Sequence, residues 1–160
     1  IHEYTHVFQR AFPKTPTWMT EGGAEFLAFY LGDQYEWIDF EQSMNQSMRM
    51  VQSVGDKATM KDFEEVEKLE KERPELKKYY RHLAYDAGVW AVAWAIHRSK
   101  DRSVKSYTKE FYPLLGQLGW EQALVKYARV SDASQFYDDF GKFLQQPIGV
   151  QMKMLTELKP

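Results

Sequence analysis

The chain has 160 residues, a net charge of −2 and no cysteine. This length suits one domain with a real hydrophobic core, and 44% hydrophobic and 16% aromatic residues argue against disorder. Without a basic stripe, nucleic-acid binding has no electrostatic support. The lack of cysteine excludes disulfides, a cysteine nucleophile and cysteine zinc ligands, but does not decide the compartment.

Hydrophobic spacing and boundary residues predict helices along almost the whole chain and almost no strand. Thr20 is expected to cap the second helix, and Pro74 to lie in the first turn of a long helix. The longest apolar run, residues 87–96, is about half a membrane span and predicts a buried helix. The predicted helices are 1–11, 18–31, 38–53, 59–72, 74–99, 103–115, 119–129, 132–145 and 148–158. We therefore predict an all-α orthogonal bundle, a single helical unit over residues 1–160.

Residues 2–6 read HEYTH, so that two histidines are separated by four positions. On a helix, His2 and His6 lie on one face and one turn apart, as two ligands of one tetrahedral zinc ion must. Glu3 lies off that face and can act as a general base on a zinc-bound water without being a ligand. By itself this pattern also fits a solvated helix that binds no metal.

The segment PTWMTEGGAEFLA, residues 16–28, strengthens the metal hypothesis. Glu21 and Glu25 are one helical turn apart, so both carboxylates face the same way. The loop over residues 7–20 is short and contains two prolines, and it can fold the second helix back onto the first. Two histidines and Glu21 would form a three-ligand site with an open fourth position, the arrangement of catalytic zinc.

These residues resemble the gluzincin metallopeptidases, and within them the aminopeptidase N-like branch. The HExxH pattern at residues 2–6 is followed by WxxEGxAE at residues 18–25. Downstream, YDAG at residues 85–88 is similar to the family's YxxG segment. The linker between the first two motifs is a few residues shorter than in that branch, so the similarity is a distant one.

The resemblance implies a zinc peptidase whose fold is that of the C-terminal half of a thermolysin-like, gluzincin catalytic domain. It implies one zinc ion, held by His2, His6 and Glu21. It further implies that Glu25 bonds a ligand histidine, for which we expect His2. The family's tyrosine, which donates a hydrogen bond to the tetrahedral intermediate, corresponds to Tyr85.

His82 lies one turn before Tyr85 and has two interpretations that the sequence leaves open. It either lines the cleft and helps to bind the intermediate, or it is a surface or hydrogen-bonded histidine. The expected substrate is a peptide or protein, and the sequence does not distinguish an exopeptidase from an endopeptidase. Two alternatives are a non-catalytic zinc-binding domain and a metal-free helical interaction domain derived from the same fold. Glu3 argues against the first of these, because a structural zinc site needs no base.

The zinc motif begins at the second residue, whereas the family carries a β-containing part upstream of it. We therefore expect the chain to be a fragment whose upstream domain is its partner in the same protein. We expect no nucleic-acid partner and no membrane span in these residues. The compartment is left open, although an exported protein, whether periplasmic, cell-surface or secreted, is favoured.

Overall fold

The computed structural model describes residues 1–12 and 14–160, and these residues form an all-α fold. Within them, the one pairing of extended backbone is an isolated bridge between Ser103 and Lys159. The predicted fold class is thereby confirmed as all-α. The α-helices of the described residues are α1 (His2–Gln9), α2 (Thr17–Gln34), α3 (Phe40–Val54), α4 (Val66–Glu72), α5 (Ala87–Arg98), α6 (Val104–Ser106), α7 (Tyr112–Leu118), α8 (Trp120–Ala128), α9 (Ala133–Leu144) and α10 (Ile148–Leu155).

The start of α2 differs from the prediction, because Thr20 is not its N-cap. The helix begins at Thr17, directly after Pro16, whose backbone is extended at φ −54° and ψ 143°. A proline fixes φ and suits the residue at a helix start. The Thr20 hydroxyl instead lies in the first turn, 3.3 Å from the Pro16 carbonyl and 2.9 Å from the Thr15 hydroxyl. Glu21 therefore lies in the second turn of α2.

The helix predicted over residues 59–72 is interrupted. A 3-10 turn, Met60–Phe63, is followed by a break before α4 begins at Val66. At the break, the Glu64 backbone carbonyl accepts a hydrogen bond of 3.0 Å from the backbone N–H of Thr17. That N–H is one of the groups at the start of α2 that has no partner within its own helix. The Glu64 carbonyl thus accepts a hydrogen bond from the start of α2, and the helix predicted over residues 59–72 is broken at this point.

The long helix predicted over residues 74–99 consists of three segments. A 3-10 helix, Pro74–Tyr79, leads into a π-helix, Arg81–Asp86, and then into α5. A π turn contains an extra residue and is often found at functional sites. It brings the rings of Tyr80 and Tyr85, five positions apart, to a centroid distance of 5.7 Å. The remaining short segments are the 3-10 helix Gly55–Lys57 and a π-helix, Tyr107–Phe111.

The helices α2 and α5 touch through their backbones at the centre of the molecule. A Cβ on Gly88 would lie 2.9 Å from the Gly22 Cα and 2.5 Å from the Trp18 carbonyl oxygen. Buried apolar side chains, among them Trp18 and Trp90, form a core cluster around this contact. The close packing fixes the backbone beside Glu21 against the segment that carries Tyr85.

The apolar residues of α5 belong to this core. Trp90, Ala91 and Ile96 are all 0% exposed. Across residues 1–12 and 14–160, no helix combines the length and the apolar character that crossing a bilayer requires. The apolar run at residues 87–96 is therefore a buried helix, as predicted.

Candidate metal centre

Helices α1 and α2 bring the three predicted ligands together. The Nε2 atoms of His2 and His6 are 2.9 Å apart. The Glu21 Oε2 atom lies 3.5 Å from the His2 Nε2 atom and 3.3 Å from that of His6. Ligands about 2.0–2.1 Å from a tetrahedral zinc ion stand roughly 3.3–3.4 Å from one another. The three ligand atoms are therefore spaced about as one tetrahedral zinc ion requires. The two imidazole nitrogens, 2.9 Å apart, are somewhat closer than that spacing.

The partners of the remaining ring nitrogens indicate which imidazole atoms carry protons. The His6 Nδ1 atom lies 2.8 Å from the Gln9 Oε1 atom, and the His2 Nδ1 atom lies 2.9 Å from a Glu25 carboxylate oxygen. Gln9 Oε1 is an acceptor, so in a neutral His6 ring the proton belongs on Nδ1 and Nε2 is unprotonated. The His2 Nδ1 atom lies close to the Glu25 carboxylate but makes no hydrogen bond in the described part of the chain. The two Nε2 atoms face each other.

The Glu21 carboxylate adds a third potential ligand atom to the two ring nitrogens. Glu21 Oε2 is buried and has no hydrogen-bond partner in the described part of the chain. A buried acceptor that lacks a partner is costly, and three such atoms facing one another repel unless a cation lies between them. Neutral imidazole nitrogens and a carboxylate oxygen are ligands that zinc accepts. The residues present therefore fit a zinc ion.

Glu25 connects the site to the π-helix. One of its oxygens, Oε2, faces His2, and the other, Oε1, accepts a hydrogen bond of 2.7 Å from Arg81 Nη2. The guanidinium of Arg81 in turn lies over the ring of Tyr85, 4.4 Å from its centroid. The carboxylate thus lies between a candidate ligand and a cation.

Tyr85 lies against the candidate ligands. Its ring is parallel to that of His2, with centroids 5.9 Å apart and planes 5° from one another. Burial raises the pKa of the Tyr85 hydroxyl, and the adjacent Glu21 carboxylate raises it further. Burial and then Glu21 also raise the pKa of Tyr80. Both hydroxyls therefore stay protonated at neutral pH and remain hydrogen-bond donors.

The other two predicted residues differ in their surroundings. Glu3 is exposed and follows His2 directly on α1, so its carboxylate is open to solvent. His82 Nδ1 lies 3.2 Å from a carboxylate oxygen of Asp86, whose side chain is largely buried. This contact fits the interpretation of His82 as a hydrogen-bonded histidine, while its role in the cleft stays a prediction.

Sequence reasoning missed three residues of this region: Gln9, Tyr80 and Arg81. Gln9 is 8% exposed, which is unusual for an amide side chain on a short helix. Its position three residues after His6, on the neighbouring face, was the available signal. For Arg81 there was no local signal, because its partner Glu25 is 56 positions away in the chain.

No protein-family model matches the chain, and comparisons with curated proteins and with solved structures find no match. The resemblance to the gluzincins therefore rests on the motifs in the sequence. What the site can do is argued from its own geometry.

Proposed function

We propose that the protein is a zinc-dependent peptidase with one zinc ion held by His2, His6 and Glu21. The observation that carries the proposal is the convergence of three acceptor atoms, each within 3.5 Å of the others, from two helices. The Glu21 oxygen in this group has no other partner among residues 1–12 and 14–160. A cation is the simplest occupant that would make this arrangement favourable.

The exposure of the site favours catalysis over a closed structural role. The side chains of His2, His6 and Glu21 are 21%, 23% and 17% exposed, so the group lies close to the protein surface. A structural zinc site usually has four protein ligands, whereas a catalytic one keeps a position open. Three ligands at a solvent-facing edge leave room for water and a substrate.

The residues around the ligands have separate roles in the proposed amide hydrolysis. When bound, zinc supplies a Lewis acid that polarises the scissile carbonyl and makes a water more acidic. Glu3 accepts the proton of the attacking water and later passes it to the leaving amine. The protonated hydroxyl of Tyr85 donates a hydrogen bond to the developing oxyanion. Glu25 keeps His2 in the orientation and tautomer that leave Nε2 free.

Zinc binding is the first test. The purified chain is stripped with a chelator, supplied with zinc, dialysed and measured by elemental analysis. We expect one zinc ion per chain, and a loss of affinity on the order of 100-fold or more in His6→Gln, since removing a ligand exceeds the 10–100-fold cost of removing its supporting partner. His97→Gln is the matched control, because His97 pairs with Glu157 away from the site. A wild-type chain that takes up no zinc would overturn the proposal.

Peptide cleavage is the second test. The zinc-loaded full-length protein is incubated with a complex peptide mixture, and new termini are identified by mass spectrometry. This readout assumes no specificity, and it separates removal of terminal residues from internal cleavage. Cleavage that disappears in Glu3→Gln would support the peptidase. In the full-length protein, zinc binding without cleavage would favour the non-catalytic zinc-binding alternative, and the absence of both would favour a helical interaction domain.

A further inference from the structure

We infer that Gln9 is a positioning residue of the metal site, whose amide holds His6 in the tautomer that presents Nε2 to the ion. The inference rests on the proposed zinc site and adds a residue to it. It starts from the contact of 2.8 Å between Gln9 Oε1 and His6 Nδ1. The direction of that hydrogen bond follows from what surrounds the other end of the amide.

Two neighbours fix which way the amide of Gln9 points. Its Nε2 atom donates to the backbone carbonyl of Thr20 at 2.9 Å, and to the hydroxyl of Tyr112 at 3.2 Å. A carbonyl oxygen can only accept, so the amide nitrogen must face Thr20. The amide oxygen must then face His6, and the proton between them belongs to His6 Nδ1. The lone pair of the neutral ring is thereby left on Nε2.

The surroundings of Gln9 leave its side chain little freedom. Gln9 is 8% exposed and Tyr112 is 2% exposed. A Cβ on Gly23 would lie 3.2 Å from Gln9 Nε2 and 2.8 Å from the Tyr107 hydroxyl, so a glycine at this position makes room for the amide. Because the amide is bonded to the backbone of α2 and to a residue of α7, the orientation of His6 depends on three helices.

The two histidines have chemically different partners. The partner of His2 is a carboxylate that is bonded to a cation, Arg81, whereas the partner of His6 is a neutral amide. An acceptor next to the free nitrogen of a ligand histidine orients the ring and fixes its tautomer. At His6 the amide does this without adding a negative charge to a site that already contains carboxylates.

The direct test is the tautomer of His6, read from its ring ¹⁵N chemical shifts in the metal-free protein at a pH where histidines are neutral. We expect the proton on Nδ1 in the wild type. In Gln9→Met, which has a similar length and lacks the amide, we expect a shift towards the Nε2-protonated form that an unrestrained histidine favours in water. A wild-type His6 protonated on Nε2 would overturn the inference without the need for any variant.

Zinc affinity, measured by competition with a chelator, is the second readout. We expect Gln9→Met to weaken zinc binding about 10–100-fold. Gln9→Glu keeps an acceptor for His6 but loses the donor to the Thr20 carbonyl, so it should bind zinc more tightly than Gln9→Met and more weakly than the wild type, whereas a purely packing role would give no recovery over Gln9→Met. Tyr112→Phe removes only the outer hydrogen bond of the amide and should stay close to the wild type.

The outcomes separate this inference from the proposed function. If the wild type binds zinc and Gln9→Met binds it equally tightly with an unchanged His6 tautomer, Gln9 is a packing residue and the zinc site stands. If the wild type binds no zinc, the proposed function fails, while the His6 tautomer still decides whether Gln9 orients the ring. Should Gln9→Met fold poorly, the wild-type tautomer carries the test.

Discussion

Gly22 and Gly88 pack backbone to backbone, and a Cβ on Gly88 would lie 2.9 Å from the Gly22 Cα and 2.5 Å from the Trp18 carbonyl oxygen. Backbone atoms cannot move aside as the end of a flexible side chain can. We therefore expect Gly88→Ala to lower the free energy of unfolding by about 1–3 kcal/mol, as overpacking of a core does. Urea denaturation of the metal-free protein measures this change.

Gly141 provides the matched control for that variant. It lies within α9, and a Cβ there would meet no heavy atom within 4 Å. Gly141→Ala should stabilise the protein by about 0.5–1 kcal/mol, because alanine loses less backbone freedom on folding. Equal effects of the two alanines would contradict the close helix contact.

Zinc should stabilise the folded chain, because the three facing acceptors belong only to the folded state. At a free zinc concentration of 100 times the dissociation constant, the expected gain is about 2.7 kcal/mol. Thermal unfolding with and without zinc measures this gain, and a chelator should reverse it. Glu21→Gln should bind zinc far more weakly and show almost no stabilisation at the same concentration, whereas an equal gain in this variant would place the ion elsewhere.

In the full-length enzyme, Glu3→Gln should keep zinc and lose peptidase activity. The amide is nearly isosteric with the carboxylate but cannot accept the proton of the attacking water. The loss of general-base catalysis is expected to lower turnover by about 10²–10⁴-fold. Elemental analysis of the same sample shows whether zinc is retained. Turnover close to that of the wild type would assign the base to another residue.

Tyr85→Phe should lower turnover by about 10²–10³-fold, because one donor to the oxyanion is lost. The phenyl ring keeps the packing on His2 and under Arg81, so zinc content and unfolding should change little. Tyr79→Phe removes a hydroxyl from a tyrosine six positions earlier in the chain and serves as the control. Unchanged kinetics for Tyr85→Phe would show that this hydroxyl does not contact the reacting carbonyl.

Glu25 and Arg81 should act on zinc binding as one unit. Glu25→Leu removes the acceptor next to His2 and is expected to weaken zinc binding about 10–100-fold. Arg81→Met should have a smaller effect, since it only releases Glu25. If the arginine works through the carboxylate, the double variant should bind zinc as Glu25→Leu does. Additive losses would mean that Arg81 affects the site by another route.

The sequence was most informative about features that depend on residues close together in the chain. The spacing of His2 and His6 determines their common face once the helix forms, and the motif at residues 18–25 predicted a second helix beside them. Both helices are present, although α2 begins at Thr17 because Pro16 sets its start. The all-α class followed in the same way from helical spacing that recurs along the chain.

Contacts between segments that are far apart in the chain could not be predicted from the sequence. Glu64 interrupts its own helix because its carbonyl bonds to Thr17, 47 positions earlier in the chain. Gln9 resembles an ordinary polar residue until the backbone of α2 and Tyr112 surround it. The π-helix at Arg81–Asp86 has no simple residue signature, because the packing on both of its sides decides where the extra residue is accommodated.

That extra residue lets the segment accept a change in length. Deleting a single residue between Arg81 and Asp86 would restore an ordinary α-helical turn. A π turn takes five residues through about the same rotation that four residues make in an α-helix, so the segments before and after the deletion would keep nearly the same orientation. With Gly88 anchored on α2, Arg81 would still face Glu25. In an alignment of related chains, a one-residue gap at this point is therefore compatible with an intact ion pair, and the spacing between Arg81 and Gly88 need not be constant.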